Sequence, residues 1–189
     1  MALSQEQGIS MKSVLHYFGF IFLALWATVS YSASIEEAYD IIRNGNPEAG
    51  HKMLLPFAEK DDPRAHYGIA LLYKDGWGVQ KNSKQAIDFY QKAAERGHQR
   101  AMFDLGMFYQ NGHLVKQDYV EAIKWYEMAA NKGYAAAMYG LGGLYFNGLG
   151  VKKDQDVGKY WFTKAASSGF APAIKFLDEA YNFGMSSKK

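Results

Sequence analysis

Five histidines, His16, His51, His66, His98 and His113, are the first residues to weigh as acid–base groups or metal ligands. Zinc or general-base chemistry needs two of them at helical spacing, or one set beside a carboxylate and a nucleophile. No H-E-x-x-H occurs, no two histidines stand three or four residues apart, and no G-x-S-x-G marks a nucleophile elbow. The chain has no cysteine, which excludes a zinc-thiolate site, a disulfide frame and a cysteine nucleophile. Asp154-Gln155-Asp156 opens like a calcium loop, but the sixth position holds Lys159 and the closing position Ala165, where glycine and glutamate are required. These acidic residues suit a helix N-terminus instead. Gly140-Leu141-Gly142-Gly143 resembles a phosphate loop superficially, yet it follows no strand. His98 and His113 are expected to open a helix and to fill a turn, both solvated. The sequence therefore assigns no catalytic residue, no metal and no cofactor, and the chemistry that remains is recognition by exposed aromatic and basic side chains.

Those side chains recur at a fixed interval, and the interval defines the elements that carry them. Ala65, Ala101, Ala137 and Ala173 stand 36 residues apart, as do Tyr73, Tyr109, Tyr145 and Tyr181. Gly76, Gly112, Gly148 and Gly184 keep the same spacing, and so do Gly97, Gly133 and Gly169. Such a period marks a solenoid whose units cannot bury their apolar faces alone. The units are 62–97, 98–133 and 134–169. A truncated unit, 170–189, supplies a capping helix and tail, and 34–61 reads as a degenerate leading helix pair. Each unit predicts two helices, the first over 63–75, 99–111, 135–147 and 171–183, the second over 83–96, 119–132 and 155–168. Pro63 and Pro172 suit helix starts, and the glycine that ends each unit suits a helix stop. Gly106 and Gly142 sit inside first helices, where glycine costs roughly 0.5–1 kcal/mol relative to alanine. Close packing of a neighbouring helix is the reason to expect them there, with Tyr73, Tyr90, Tyr109, Trp125, Tyr126, Tyr145, Trp161 and Phe162 as the large residues that would slot over the small positions. The fold class is all-α, an α/α superhelical solenoid of 36-residue two-helix repeats.

With these residues in register, the chain resembles the Sel1-like repeat family, a 36-residue relative of the tetratricopeptide repeat. The pattern is A-x-x-x-L-G-x-x-Y-x-x-G-x-G-V followed by A-x-x-W-Y-x-x-A-A-x-x-G. The third unit carries Ala137, Leu141, Gly142, Tyr145, Gly148, Gly150, Val151, Trp161, Ala165, Ala166 and Gly169. The second unit has Leu114 in place of the second turn glycine, and the first has Ile69-Ala70 where Leu-Gly is usual. The resemblance implies a non-catalytic adaptor that binds a protein or extended peptide in a concave groove. Cysteine-rich exported members, credited with binding β-lactam-like ligands, are a poor match for a chain without cysteine.

The face that tetratricopeptide relatives use implies a binding column along the first helices. It holds Arg64, Tyr67, Leu71 and Lys74, then Arg100, Phe103, Met107 and Gln110, then Ala136, Tyr139, Gly143, Phe146 and Asn147. Aromatic, arginine and methionine side chains are enriched in binding hot spots. Tyr67, Phe103 and Tyr139 have a second reading, as packing between adjacent helices. Arg64 and Arg100 likewise either grip an acidic segment or pair with acidic residues of the protein. A cell-wall-related enzyme or small-ligand-binding protein of the envelope is the alternative function. A buried pocket with perturbed carboxylates would favour it.

Composition agrees with a protein-binding role. The 189 residues carry 21 Lys+Arg against 19 Asp+Glu, a net charge of +2 with no basic tract for nucleic acid. Residues 14–29 form an apolar run behind Lys12, shorter than the roughly 20 residues of a comfortable membrane span. Small residues follow in Ser30-Tyr31-Ser32-Ala33-Ser34, the order of a secretory signal peptide over 1–33 with Met11 as a better start. The expectation is a periplasmic or secreted protein, with an uncleaved inner-membrane anchor as the alternative.

Overall fold

The computed structural model describes residues 34–186, with side chains as far as Ala180. The export segment over 1–33 lies outside the described residues. Among the described residues there are nine helices and no strand: α1 (Ile35–Arg43), α2 (Pro47–Ala58), α3 (Pro63–Asp75), α4 (Ser83–Glu95), α5 (Gln99–Asn111), α6 (Tyr119–Asn131), α7 (Ala135–Asn147), α8 (Gln155–Ser167) and α9 (Ala171–Ser186). None of these is long and apolar enough to cross a membrane.

Capping chemistry sets the boundaries and repeats with the period. Second helices start on Asn82, Asp118 and Asp154, whose side chains accept hydrogen bonds from the first-turn amides. The Asp154 carboxylate accepts from the amides of Asp156 and Val157 at 3.1 and 3.0 Å, so the acidic pair serves a helix start. First helices end on Gly76, Gly112 and Gly148, each with φ between 66° and 76°. Leu114 holds φ 65° at the register position of Gly78 and Gly150. A left-handed non-glycine residue costs roughly 1–2 kcal/mol, offset here by packing of its side chain on the core.

Consecutive helices pack against one another along the whole array, and α1 also touches α3, as α5 touches α7. First helices thus approach each other directly, which places them on the tighter side of the stack. The core is built from large residues seated over small ones. Tyr90, Tyr126 and Phe162 occupy one register position on the second helices and are buried. A Cβ at Gly106 would stand 2.5 Å from the Tyr126 ring, and one at Gly142 would stand 2.7 Å from Phe162. Glycine at those positions lets the helices close. Burying a side chain of this size contributes roughly 1.5–3 kcal/mol. The leading pair has its own apolar cluster of Ile35, Ala38, Leu54, Ala65, Ile69 and Leu72.

Candidate functional site

The face shared by α5 and α7 carries an apolar groove with a cavity of about 230 Å³. Its walls include Phe103, Met107 and Gln110 from α5, and Ala136, Tyr139 and Gly140 from α7. Tyr126 and Phe170 also line it. Helical geometry explains the grouping. Residues 103, 107 and 110 lie three and four apart, as do 136, 139 and 140, so each set shares one face. Gly140 keeps the α7 wall low, because a Cβ there would stand 3.0 Å from the Tyr126 ring. Phe103 lies 5.3 Å from the ring of Tyr134, and Tyr139 lies 5.6 Å from Phe170. All four rings are half-buried, and Phe103, Tyr139 and Phe170 line the groove.

The structure thus unites Phe103, Met107, Gln110 and Tyr139 of the expected column in one groove. The remaining residues of the column go elsewhere. Phe146 packs among Phe162 and Phe176, with ring centroids 6.0 and 5.8 Å away, and belongs to the α7–α8–α9 core. Leu71 packs half-buried against the core. Lys74 pairs with the adjacent Asp75 at 2.9 Å. Tyr67 packs edge-on to Tyr90, stacks on His98 at 4.4 Å, and donates its hydroxyl to Asp104 at 3.0 Å. Burial and the Asp104 charge push its phenol well above the usual range.

The two arginines are also engaged. Arg64 binds Glu36 of α1 at 2.6 Å and the Asp62 cap at 3.2 Å. Arg100 binds Asp104 one turn on at 3.0 Å, reaches the Tyr134 hydroxyl at 3.4 Å, and lies 5.9 Å over the Phe103 ring. The reading in which both pair with acidic residues of the protein therefore describes their geometry. They do not form two equivalent, unengaged forks, because their register equivalence does not extend to their neighbours.

Asp104 is the residue the sequence reading passed over. It is 5% exposed, and burial pushes its carboxyl above the usual carboxylate range although Arg100 and Tyr67 pull the other way. The available signal was its register: the equivalent positions are Gly68 and Gly140. It lines neither this groove nor the larger cavity at the start of α5. His98 departs from the expected solvated role. Its Nδ1 accepts from the Ala101 amide at 3.2 Å, capping α5 at the register position of the Asp62 cap, and its ring is half-buried on Tyr67. His66 is buried, with Nε2 3.4 Å from Asp61, which also binds Arg96 at 2.6 Å. Among the described residues, no group of three or more His, Asp or Glu is placed to hold a metal ion.

Stacked helix pairs with a half-buried aromatic face define an α-solenoid scaffold. The Sel1 repeat model matches three consecutive segments, 63–98, 99–134 and 135–170. A Sel1 repeat protein of known structure from Oxalobacter formigenes is 31% identical, with a TM-score of 0.72 over 80% of this chain and 62% of its own. The c5321 protein of uropathogenic Escherichia coli, described as a protective antigen with an SLR fold, is 30% identical. Its TM-score is 0.68, over 72% of this chain and 29% of its own. Cysteine rich protein B of Helicobacter pylori, 22% identical with a TM-score of 0.53 over 75% of this chain and 96% of its own, shares the fold. No curated protein matches in sequence. The chain belongs to the Sel1 repeat family. Proteins of this family are typically protein-interaction adaptors, and the repeat is generally a non-catalytic scaffold. The chain spans less than two thirds of the length of either of the first two relatives.

Proposed function

We propose that the chain is an exported adaptor that binds an extended segment of a partner protein along the first-helix face, centred on the groove between α5 and α7. The observation that carries this reading is the convergence of Phe103, Met107, Tyr139 and Phe170 on one open apolar cavity. Half-buried aromatic side chains offer rigid contact area, and methionine an adaptable apolar one, as binding anchors do. Neighbouring hydrogen-bonding groups, such as Gln110, orient what the apolar walls hold. Export rests on Lys12, the apolar run over 14–29 and the small residues after it.

A photo-crosslinking amino acid at Met107, with Tyr160 on the outer surface as control, tests the binding reading in the native cell. The expected result is a discrete adduct from Met107 that disappears when Ala136→Arg plugs the groove. Adducts of equal yield from Met107 and Tyr160, indifferent to Ala136→Arg, would overturn it. Export predicts a mature N-terminus between residues 33 and 35. A chain that retains its first thirty residues in the membrane would refute cleavage.

A further inference from the structure

A second cavity, of about 390 Å³, opens beside the groove and has arginines among its lining residues. It is lined by Pro63, Arg96, Gly97, His98, Gln99, Arg100 and Tyr134, with two arginines and no acidic residue among the described residues that line it. A third cation stands over it: the Lys132 ammonium lies 3.5 Å from where a Cβ on Gly97 would be. Arg96 spends one nitrogen on Asp61, and Arg100 spends two on Asp104 and Tyr134. Each guanidinium carries five N–H donors, so both keep donors beyond those bonds. Asp61 and Asp104 pair with the two arginines, whereas Lys132 is exposed and has no acidic partner within ion-pair distance among the described residues.

The two cavities share a wall. Tyr134 lines the basic one, Phe103 lines the apolar one, and their rings are 5.3 Å apart. Arg100 touches both, through the Tyr134 hydroxyl and over the Phe103 face. A chain seated on Phe103 and Met107 passes onto Arg100 without crossing another element.

Resting on the peptide-binding reading above, we infer that the partner segment is acidic on one side of its apolar anchor, and that its carboxylates occupy the cavity between Arg96, Arg100 and Lys132. Arginine forks match carboxylate geometry, and Lys132 adds an unbalanced charge at the rim. The apolar anchor supplies the buried area, and the acidic residues fix direction and register.

Selection of a random peptide library displayed on phage against the full chain tests this, followed by the same selection against Lys132→Glu. Lys132 is chosen because its side chain is exposed and unpaired, so the fold survives the change. The expected outcome is a set of peptides with aromatic or aliphatic residues next to Asp or Glu. Against Lys132→Glu the acidic enrichment falls while the apolar one persists. A synthetic peptide from the first set should bind Lys132→Glu about tenfold more weakly and lose affinity with added salt. Apolar peptides without acidic enrichment would overturn the inference and leave the groove standing. Acidic enrichment unchanged by Lys132→Glu would overturn it as well. If no peptide is enriched, the inference falls together with the groove reading.

Discussion

Tyr126 donates its hydroxyl to the side-chain oxygen of Gln110 at 2.7 Å, and this bond is rebuilt differently in each repeat. The register equivalents of this pair are Lys74 with Tyr90 and Phe146 with Phe162. Phe146 and Phe162 meet as rings 6.0 Å apart, with no polar atom to satisfy. Lys74 instead turns to Asp75, and the buried Tyr90 hydroxyl has no hydrogen-bond partner among the described residues. A buried hydroxyl without a partner costs about 1–3 kcal/mol, whereas a made bond is worth about 0.5–1.5 kcal/mol net. Tyr90→Phe is therefore expected to leave the melting temperature unchanged or raise it, and Tyr126→Phe to lower it by leaving Gln110 unmatched. Thermal unfolding of both variants checks the contrast. A larger loss from Tyr90→Phe than from Tyr126→Phe would contradict it.

Two neighbouring glycines of α7 are expected to behave oppositely. A Cβ at Gly142 would stand 2.7 Å from the Phe162 ring and 3.1 Å from the Gly158 carbonyl oxygen. Phe162 is itself packed against Phe176 at 4.4 Å and is buried, which limits how far it can yield. Gly142→Leu should cost about 1–3 kcal/mol or more by overpacking. A Cβ at Gly143 meets nothing within 4 Å among the described residues. Gly143→Ala should stabilise by about 0.5–1 kcal/mol, the helix preference of alanine over glycine. Chemical denaturation of the two variants decides the matter, and an unchanged midpoint for Gly142→Leu would place Gly142 away from the α7–α8 contact.

The repeat period made the helices legible, because each start and stop is written in local chemistry. The first helices begin and end as expected at 63–75, 99–111 and 135–147, and the second helices stop one residue earlier than expected. Proline, aspartate and glycine act on their own backbone, so their positions alone place the boundaries. Small residues under large ones were legible for the same reason, since Gly106 and Gly142 recur in register with Tyr126 and Phe162. The groove was half legible. Phe103, Met107, Gln110 and Tyr139 share helix faces that spacing reveals, but Tyr126 and Phe170 arrive from other elements. The arginines were not legible as pairs. Their partners, Glu36 and Asp104, stand where the repeat is degenerate or departs from its own glycine, and period carries no information there.

His98 should make the start of α5 sensitive to acid. Burial holds its imidazole below the ordinary value of 6.5, while Asp62 pulls upward and Arg100 downward. A histidine whose folded value lies below its unfolded value stabilises the fold above the unfolded value. That stability is lost as pH falls through the folded value. The structural cause is plain: Nδ1 must be unprotonated to accept from the Ala101 amide. Stability is thus expected to decline below about pH 6.5, and burial gives His51 the same sign. His98→Asn keeps an N-capping oxygen and should remove its share of that decline, whereas His98→Ala should cost about 0.5–2 kcal/mol near neutrality. Urea midpoints for the three proteins between about pH 7 and about pH 5 test this, using the titration range of histidine. An identical slope in His98→Asn and the parent would show that His98 does not titrate in the fold.

Arg64 and Arg100 occupy one repeat position but should differ in what their loss does. Arg64 joins two carboxylates at the surface, where ion pairs contribute about 0–1 kcal/mol. Arg64→Ala should therefore leave the unfolding midpoint nearly unchanged. Arg100 instead balances Asp104, whose side chain is 7% exposed, and its removal leaves that carboxylate with the Tyr67 hydroxyl as its hydrogen-bond donor among the described residues and Lys74 as a more distant cation. Arg100→Ala should cost about 1–3 kcal/mol near neutral pH, the range for stranding a buried polar group. The pH dependence follows from the same burial. The folded value of Asp104 already lies above the ordinary 3.8, and loss of the guanidinium can only raise it further. For a carboxyl shifted in that direction, stability is full below the unfolded value and is lost as pH rises through the folded one. The deficit of Arg100→Ala relative to the parent should then shrink as pH falls from about 7 toward about 4, because a protonated Asp104 no longer needs a cation. Arg100 also lowers the His98 imidazole, so parent and Arg100→Ala are compared in a His98→Asn background, where Asp104 is left as the titrating group that Arg100 touches. Urea unfolding of Arg64→Ala, Arg100→Ala and the parent at both pH values measures it. A deficit that stays constant or grows on acidification would show that Arg100 stabilises through its packing on Phe103 and not through the Asp104 carboxylate.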